Sequence, residues 1–472
     1  MPREKSDPLI VLGVRESRAQ GEAAGQRATC IKDTLAIPRD GGRVSTELDR
    51  IAEKARKEPS LRFTALAHLL TPEFLKDTWG RMNRRGASGI DGETTREFEQ
   101  DLDQRCRDIV GRLKANRYQA PPVRRVEIPK GEGKTRPLGI PTVEDRLVQR
   151  AVARILEAIY EADFRDSSYG FRPGRSPHQA LHDLRRQFIA GKAGYVFETD
   201  IRGYFNHINH DWLMKMLGRR VGDPVILHLI GKWLGAGVMI NGVVTRTGEG
   251  TPQGGPISPL LANVYLHYVL DLWFEHRFRG TCQGEAHLTR FADDFVICFQ
   301  YKPDAERFAA EIVERMGKFG LELAEEKTRL LAFGRYARER EAGAGRKPGT
   351  FDFLGFTHVC GVGAHGQFVV VRIPCVKSCR KFLDRVHAWL KTHQHWRRRD
   401  QQAQLARMLN GFYQYFGLNH CYPKLSWIRS EVERQWARSL RRRSQRHRLF
   451  WTYLRSRSWF ALPKPILAKA TV

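Results

Sequence analysis

No uninterrupted apolar run in this 472-residue chain approaches the ~18 residues that would cross a bilayer as a helix, so no membrane partner is expected. The start, Met1-Pro2-Arg3-Glu4-Lys5, is basic but has no apolar segment behind it, so no secretory signal is expected and the reading is cytoplasmic. Cysteine is scarce. The eight stand scattered, Cys375 and Cys379 are the only close pair, and no second pair of Cys or His follows at zinc spacing; reduced thiols are expected rather than a zinc site. Acid is in short supply as well: 52 Asp and Glu face 80 Lys and Arg, for a net charge of +28. The surplus concentrates at the end, where 22 basic and 4 acidic residues from Cys375 onward leave +18 in 98 residues. A like-charged surface of that size wants a polyanion, RNA or DNA.

What is present centres on Arg290-Phe291-Ala292-Asp293-Asp294-Phe295. Leu288 to Phe291 and Phe295 to Phe299 are strand-like, and Ala-Asp-Asp between them reads as a hairpin tip. A solvated turn is the plain alternative, since Asp is a favoured turn residue. Ionised carboxylates held so close want a countercharge, and Mg²⁺ is the natural one. A second strand, Tyr195 to Ile201, delivers Asp200 near its end, followed by Tyr204 and Phe205. Three carboxylates converging on one point could hold two cations roughly 3.5 to 4 Å apart, the arrangement that transfers nucleotidyl groups. The order from Tyr195 is strand, helix, strand, strand, helix, strand, a split βαβ with an additional helix inserted.

These pieces, with Ile128 to Pro141, Ser168 to Ser176, Gly250 to Leu266 and Phe351 to Phe356, resemble a group II intron-encoded reverse transcriptase and maturase over roughly residues 60 to 460. The resemblance implies an α+β right-hand polymerase: fingers at 59–190, a ferredoxin-like palm at 191–365 and a helical thumb or maturase domain at 366–472. Residues 1–58, rich in Arg, Gly, Ala and Glu without sustained periodicity, read as a basic, flexible leader. The resemblance also implies an RNA-directed DNA polymerase that binds its intron RNA, assists splicing and moves by target-primed reverse transcription. Its partners would be intron RNA, a DNA target or primer and deoxynucleoside triphosphates; a homodimer stays an open option. No endonuclease module is expected.

Carried over residue by residue, Asp200, Asp293 and Asp294 would be the catalytic acids, and together with Ile201 would hold two Mg²⁺ ions. Lys134 and Arg136, in the glycine-rich hairpin Ile128 to Pro141, would clamp the triphosphate; an exposed basic hairpin is the alternative from the residues alone. Phe205 would crowd the sugar's 2′ position, and Gln253 would touch the nucleotide. Arg84, Arg85, Arg172 and Arg175 would meet template RNA, and Arg397, Arg398, Arg441 and Arg442 structured RNA. Two departures stand out: Phe291 where the family usually has Tyr, and Asn206-His207-Ile208-Asn209 where it has acids. A splicing cofactor with an incidental polymerase, and a polymerase without an intron, remain alternative readings.

Overall fold

Asp223 shows how the first half of the chain is tied together. Its Oδ1 caps a helix by accepting from the amides of Val225 (2.9 Å) and Ile226 (3.2 Å), while Oδ2 accepts from Leu66 (2.6 Å) and Ala67 (2.7 Å), more than 150 residues away. One buried carboxylate thus satisfies four amides that would otherwise be orphaned.

The computed structural model describes residues 44–131, 134–240, 243–245, 250, 254–343, 345–443 and 450–467. They form two units, one running to Leu184 and resuming over Phe197–Leu330, the other comprising Arg185–Val196 and the residues from Leu331.

The first unit contains α1 (Val44–Lys57), α2 (Pro72–Gly80), α3 (Thr95–Gln100), α4 (Leu102–Lys114), β1 (Val123–Gly131), β2 (Lys134–Ile140), α5 (Val143–Tyr160) and most of α6 (Pro177–Ile189). After β3 (Tyr195–Thr199) come α7 (His210–Leu217), α8 (Pro224–Gly235), β4 (Val238–Ile240), β5 (Val243–Thr245), α9 (Ser258–Leu266), β6 (Ala286–Phe291), β7 (Asp294–Phe299), α10 (Lys302–Gly317) and β8 (Arg329–Ala332). Local chemistry explains several starts. Thr71 accepts from the Phe74 amide ahead of Pro72, Asn209 accepts from Trp212, and Thr142 accepts from Asp145.

Two sheets organise this unit. The glycine-rich hairpin β1–β2 joins β4 and β5 in the order β2-β1-β4-β5. The second sheet runs β6-β7-β3-β8, which in chain order is 2-3-1-4, the strand order of a split βαβ. β3 and β7 are therefore neighbours, as the sequence order predicts.

One expectation needs correction. The segment 44–57, expected as flexible leader, is the helix α1, packed on α5 with Ala55 buried; its sparse apolar residues are diluted by charge, and its carboxyl end is secured by the Arg220 guanidinium on the carbonyls of Ala55, Glu58, Pro59 and Leu61. Residues 1–43 lie outside the described residues. Helix α5 is deeply buried, leaving only Glu144, Arg146, Arg150, Glu157 and Ala158 partly exposed, because Leu147, Val148, Ala151, Val152, Ile155 and Ile159 cover more than one side. Its Asp145 accepts from Tyr118 Oη (2.7 Å), Trp233 Nε1 (2.7 Å) and Gln149 Nε2 (2.9 Å), and burial pushes this carboxyl up to about 6.

The second unit has α11 (Ala337–Ala342), the meander β9 (Phe351–Phe353), β10 (Phe356–Val362) and β11 (Phe368–Pro374), then α12 (Val376–Thr392), α13 (Arg398–Phe416), α14 (Tyr422–Arg441) and α15 (Trp451–Arg455). Aromatics make its core: Phe382 meets Phe412 at 4.4 Å, and Phe356 meets Phe416 at 5.0 Å. Fully buried Trp436 donates to Gln401 Oε1 at 2.9 Å and stacks on Phe460.

Replacing Asp223 by Ala orphans four amides at once, so Asp223→Ala is expected to lower stability by roughly 3 kcal/mol or more, read by urea unfolding. Asp223→Asn, which keeps one accepting oxygen, should lose distinctly less.

Candidate active site

The β6–β7 hairpin is in register from Ala286↔Phe299 to Phe291↔Asp294, leaving Ala292 and Asp293 as its two-residue tip. A two-residue tip joining twisted strands favours positive φ, and Ala292 adopts φ +58°, an unusual conformation for a residue with a Cβ. Asp293 is half-buried at the tip, and Asp294, buried, is the first residue of β7. Asp200 follows β3 directly and is buried; Ile201 next to it bridges Leu323.

The segment after Asp200 turns on Gly203 into a short 3-10 turn, Tyr204–Asn206. Tyr204 donates to the Ala262 carbonyl at 2.6 Å. Its hydroxyl is held far above the usual range by burial, with the Arg290 guanidinium opposing and the Asp293 carboxylate reinforcing. The hairpin tip and the segment carrying Asp200 are thus within electrostatic reach of one another. Phe205 is buried edge-on against Tyr204.

Lys327 supplies what the acids need. Its ammonium lies 2.8 Å from Asp200 Oδ2, a cation already seated on the carboxylate. Among the described residues no group of three His, Cys, Asp or Glu forms a ready-made metal cage. Carboxylates repel, and here a lysine answers the charge of Asp200. The donor set still fits magnesium, which takes one or two carboxylates together with substrate phosphates rather than an all-protein cage.

The other expected contacts fare differently. Lys134 and Arg136 lie on β2, paired with Gly131 and Ile128, but their side chains, like the whole of Gln253, lie outside the described residues. Arg84 pairs with Glu99 at 2.5 Å, and Arg85 is exposed beside it. Arg175 pairs with Asp166 and lies over the Tyr169 ring at 5.5 Å. Arg172 is a correction: expected to meet RNA, it is buried, donating to the carbonyls of Arg165 and Ser168 (both 2.7 Å) and paired with Glu161 at 3.0 Å. Its donors hold the loop instead. In the second unit Arg397, Arg441 and Arg442 are exposed, and Arg398 lies over Trp459 at 4.9 Å.

Residues 128–358 match the family described as reverse transcriptase (RNA-dependent DNA polymerase). The Escherichia coli protein YkfC is 37% identical over 287 residues, covering 54% of this chain and 75% of that one. The group II intron-encoded protein LtrA of Lactococcus lactis is 41% identical over 234 residues, 48% of this chain and 38% of that one. A nuclear intron maturase of Arabidopsis thaliana, named as mitochondrial, is 34% identical over 126 residues, 25% of this chain and 17% of that one.

The chain belongs to the group II intron reverse transcriptase and maturase family. It spans less than half the length of LtrA.

Two features of this reverse transcriptase escape a reading of its sequence. Lys327 sits 127 residues from Asp200, and only the Glu-Glu-Lys-Thr turn after α10 hinted at a basic residue there. Behind the hairpin lies His267, buried against Phe164 and Tyr268, with Nδ1 lacking a hydrogen-bond partner. Burial pushes its imidazole down to about 4 from 6.5, Asp271 opposing, so at neutral pH it carries no charge and its 4.0 Å approach to Asp271 is not an ion pair.

That depression has a sign. The unfolded chain takes up a proton near pH 6.5 that the folded one refuses until about 4, so the contribution is intact above 6.5 and lost as pH falls towards 4. Urea unfolding of the native protein should show about 3 kcal/mol of acid sensitivity from this residue, and His267→Leu should flatten the profile across that window.

Proposed function

We propose that this chain copies RNA into DNA as the polymerase of a group II intron, and binds that intron's RNA to assist its splicing and mobility. The observation that carries the reading is the tip Ala292-Asp293 on a sheet of split βαβ order, in which β7 neighbours the strand that Asp200 directly follows, inside the span that matches reverse transcriptases.

On this reading residues 59–190 serve as fingers, 191–365 as palm and 366–472 as thumb and maturase region. Asp200 and Asp293, backed by Asp294 and the Ile201 backbone, would hold two Mg²⁺ ions. Once bound, these would favour ionisation of the primer's 3′-hydroxyl and stabilise charge on the leaving pyrophosphate. Lys134 and Arg136 steady the triphosphate by charge-assisted hydrogen bonds, and Gln253 borders the nucleotide. Phe205 crowds the 2′ side of the sugar. Lys327 holds the Asp200 carboxylate in place at 2.8 Å before a nucleotide arrives.

Arg85 and Arg175 border the template, with Arg84 beside them. The exposed Arg397, Arg441 and Arg442, with Arg398, bind structured RNA through its phosphates, which is where the +18 of the last 98 residues is used. No helix of the described residues is long and apolar enough to cross a membrane.

Asp293→Asn should cut RNA-templated primer extension by about 10³-fold or more while leaving RNA affinity within about twofold. Undiminished extension would refute the assignment. Replacing Arg441 and Arg442 by Ala should weaken binding of a structured group II intron RNA and make the fall of log affinity with log salt shallower, by about 1 for each phosphate no longer neutralised. Primer extension on a short unstructured template should change far less.

A further inference from the structure

The tip that carries Asp293 is gripped from behind by a charge that never meets water. Arg290, three residues earlier, is fully buried, and so is its partner Asp271. The guanidinium binds that carboxylate through two bonds, Nε to Oδ1 at 2.7 Å and Nη2 to Oδ2 at 2.5 Å. Its remaining branch, Nη1, donates to Asn263 Oδ1 at 2.9 Å and to the carbonyl of Ala292 at 3.0 Å. Ala292 is the residue at φ +58°, the conformation an L side chain resists.

The same arginine ties in a second segment through its backbone. Its amide donates to Ser167 O and its carbonyl accepts from the Tyr169 amide, both at 2.8 Å. Asn263 Nδ2 donates to Gly170 O at 2.6 Å, and a Cβ on Gly170 would run into the Ala292 backbone nitrogen. The anchor has its own support. Asp271 closes a π-helical stretch, His267–Asp271, whose carbonyls at Tyr268 and Val269 accept from Arg315 (3.0 and 2.9 Å).

We infer that Arg290 is a positioning residue: with Asp271 and Asn263 it locks Ala292 in its left-handed conformation, so aiming Asp293, and fastens the Ser167–Gly170 segment to the same turn. The kinetic part of this inference rests on the polymerase reading; the structural part does not.

The test exploits the fact that a buried ion pair replaced whole by apolar residues of similar size often leaves stability unchanged. The double variant Arg290→Met with Asp271→Leu should fold and bind RNA as the native chain does, yet lose the tether to Ala292. Its kcat for primer extension should fall about 100-fold, as a misplacement near 1 Å produces, with KM for the nucleotide unchanged. Amide hydrogen exchange across 291–295 should quicken about tenfold. Adding Ala292→Gly, which occupies positive φ without steric penalty, should restore kcat by roughly tenfold, a rescue that a merely structural role gives no reason to see.

Native exchange rates in the double variant overturn the lock, whatever the kinetics; so does a fall in kcat matched by an equal loss of RNA binding. If the native chain itself extends no primer, the polymerase reading fails, and hydrogen exchange still decides the lock. Should the double variant not fold, Arg290→Lys gives the same readouts, since it keeps the charge opposite Asp271 but has no second branch for Ala292.

Discussion

A guanidinium and a carboxylate, Arg290 and Asp271, sit in the interior with no exposure to solvent, and the arrangement of the candidate site hangs from them. Removing two charges from water costs about as much as their attraction returns, so such a pair adds little net stability over an apolar one. What it adds is direction. A guanidinium has five donors in a rigid plane, and once one edge is committed to Asp271, the other edge can only point at Asn263 and Ala292. An aliphatic core would hold the same strands together without specifying where their tip must lie.

That directionality spreads to neighbours. Asp271 is presented by a π-helical stretch, and its loosened carbonyls are answered by Arg315, which lies at 4.5 Å over the Phe319 ring. On the other side, Ser167 and Tyr169 hydrogen-bond the Arg290 backbone, so the arginine-bearing loop that continues to Arg175 begins where the acidic hairpin ends. Lys327 completes the balance of charge on Asp200. Arg172, Arg220, Arg290, Arg315 and Lys327, drawn into the interior or its margin, thus do what a strongly basic composition alone would not suggest: they serve as fasteners, while the cations left outside are the ones available to the proposed RNA.

Much of the scaffold was legible because it depends on short-range chemistry. Thr71-Pro72 and Asn209 announce helix starts by capping, and the alternation around Ala-Asp-Asp announces a hairpin. The 2-3-1-4 strand order followed from element order alone, since a split βαβ leaves few other arrangements. Arg172 misled for a physical reason: beside Phe171 and Arg175 it has the composition of a nucleic-acid loop, and only the fold reveals that Glu161 and two carbonyls take its donors.

By itself, then, the chain's sequence determined its class of partner through charge, its secondary structure through capping and alternation, and its family through an ordered set of motifs. The tertiary structure alone decided which charges are tools and which are braces. Lys327 meets Asp200 across 127 residues, and Asp271 meets Arg290 across a helix and a strand. Both meetings are set by packing, where the cost of leaving a buried charge unanswered selects the partner, and no local pattern of residues records that choice.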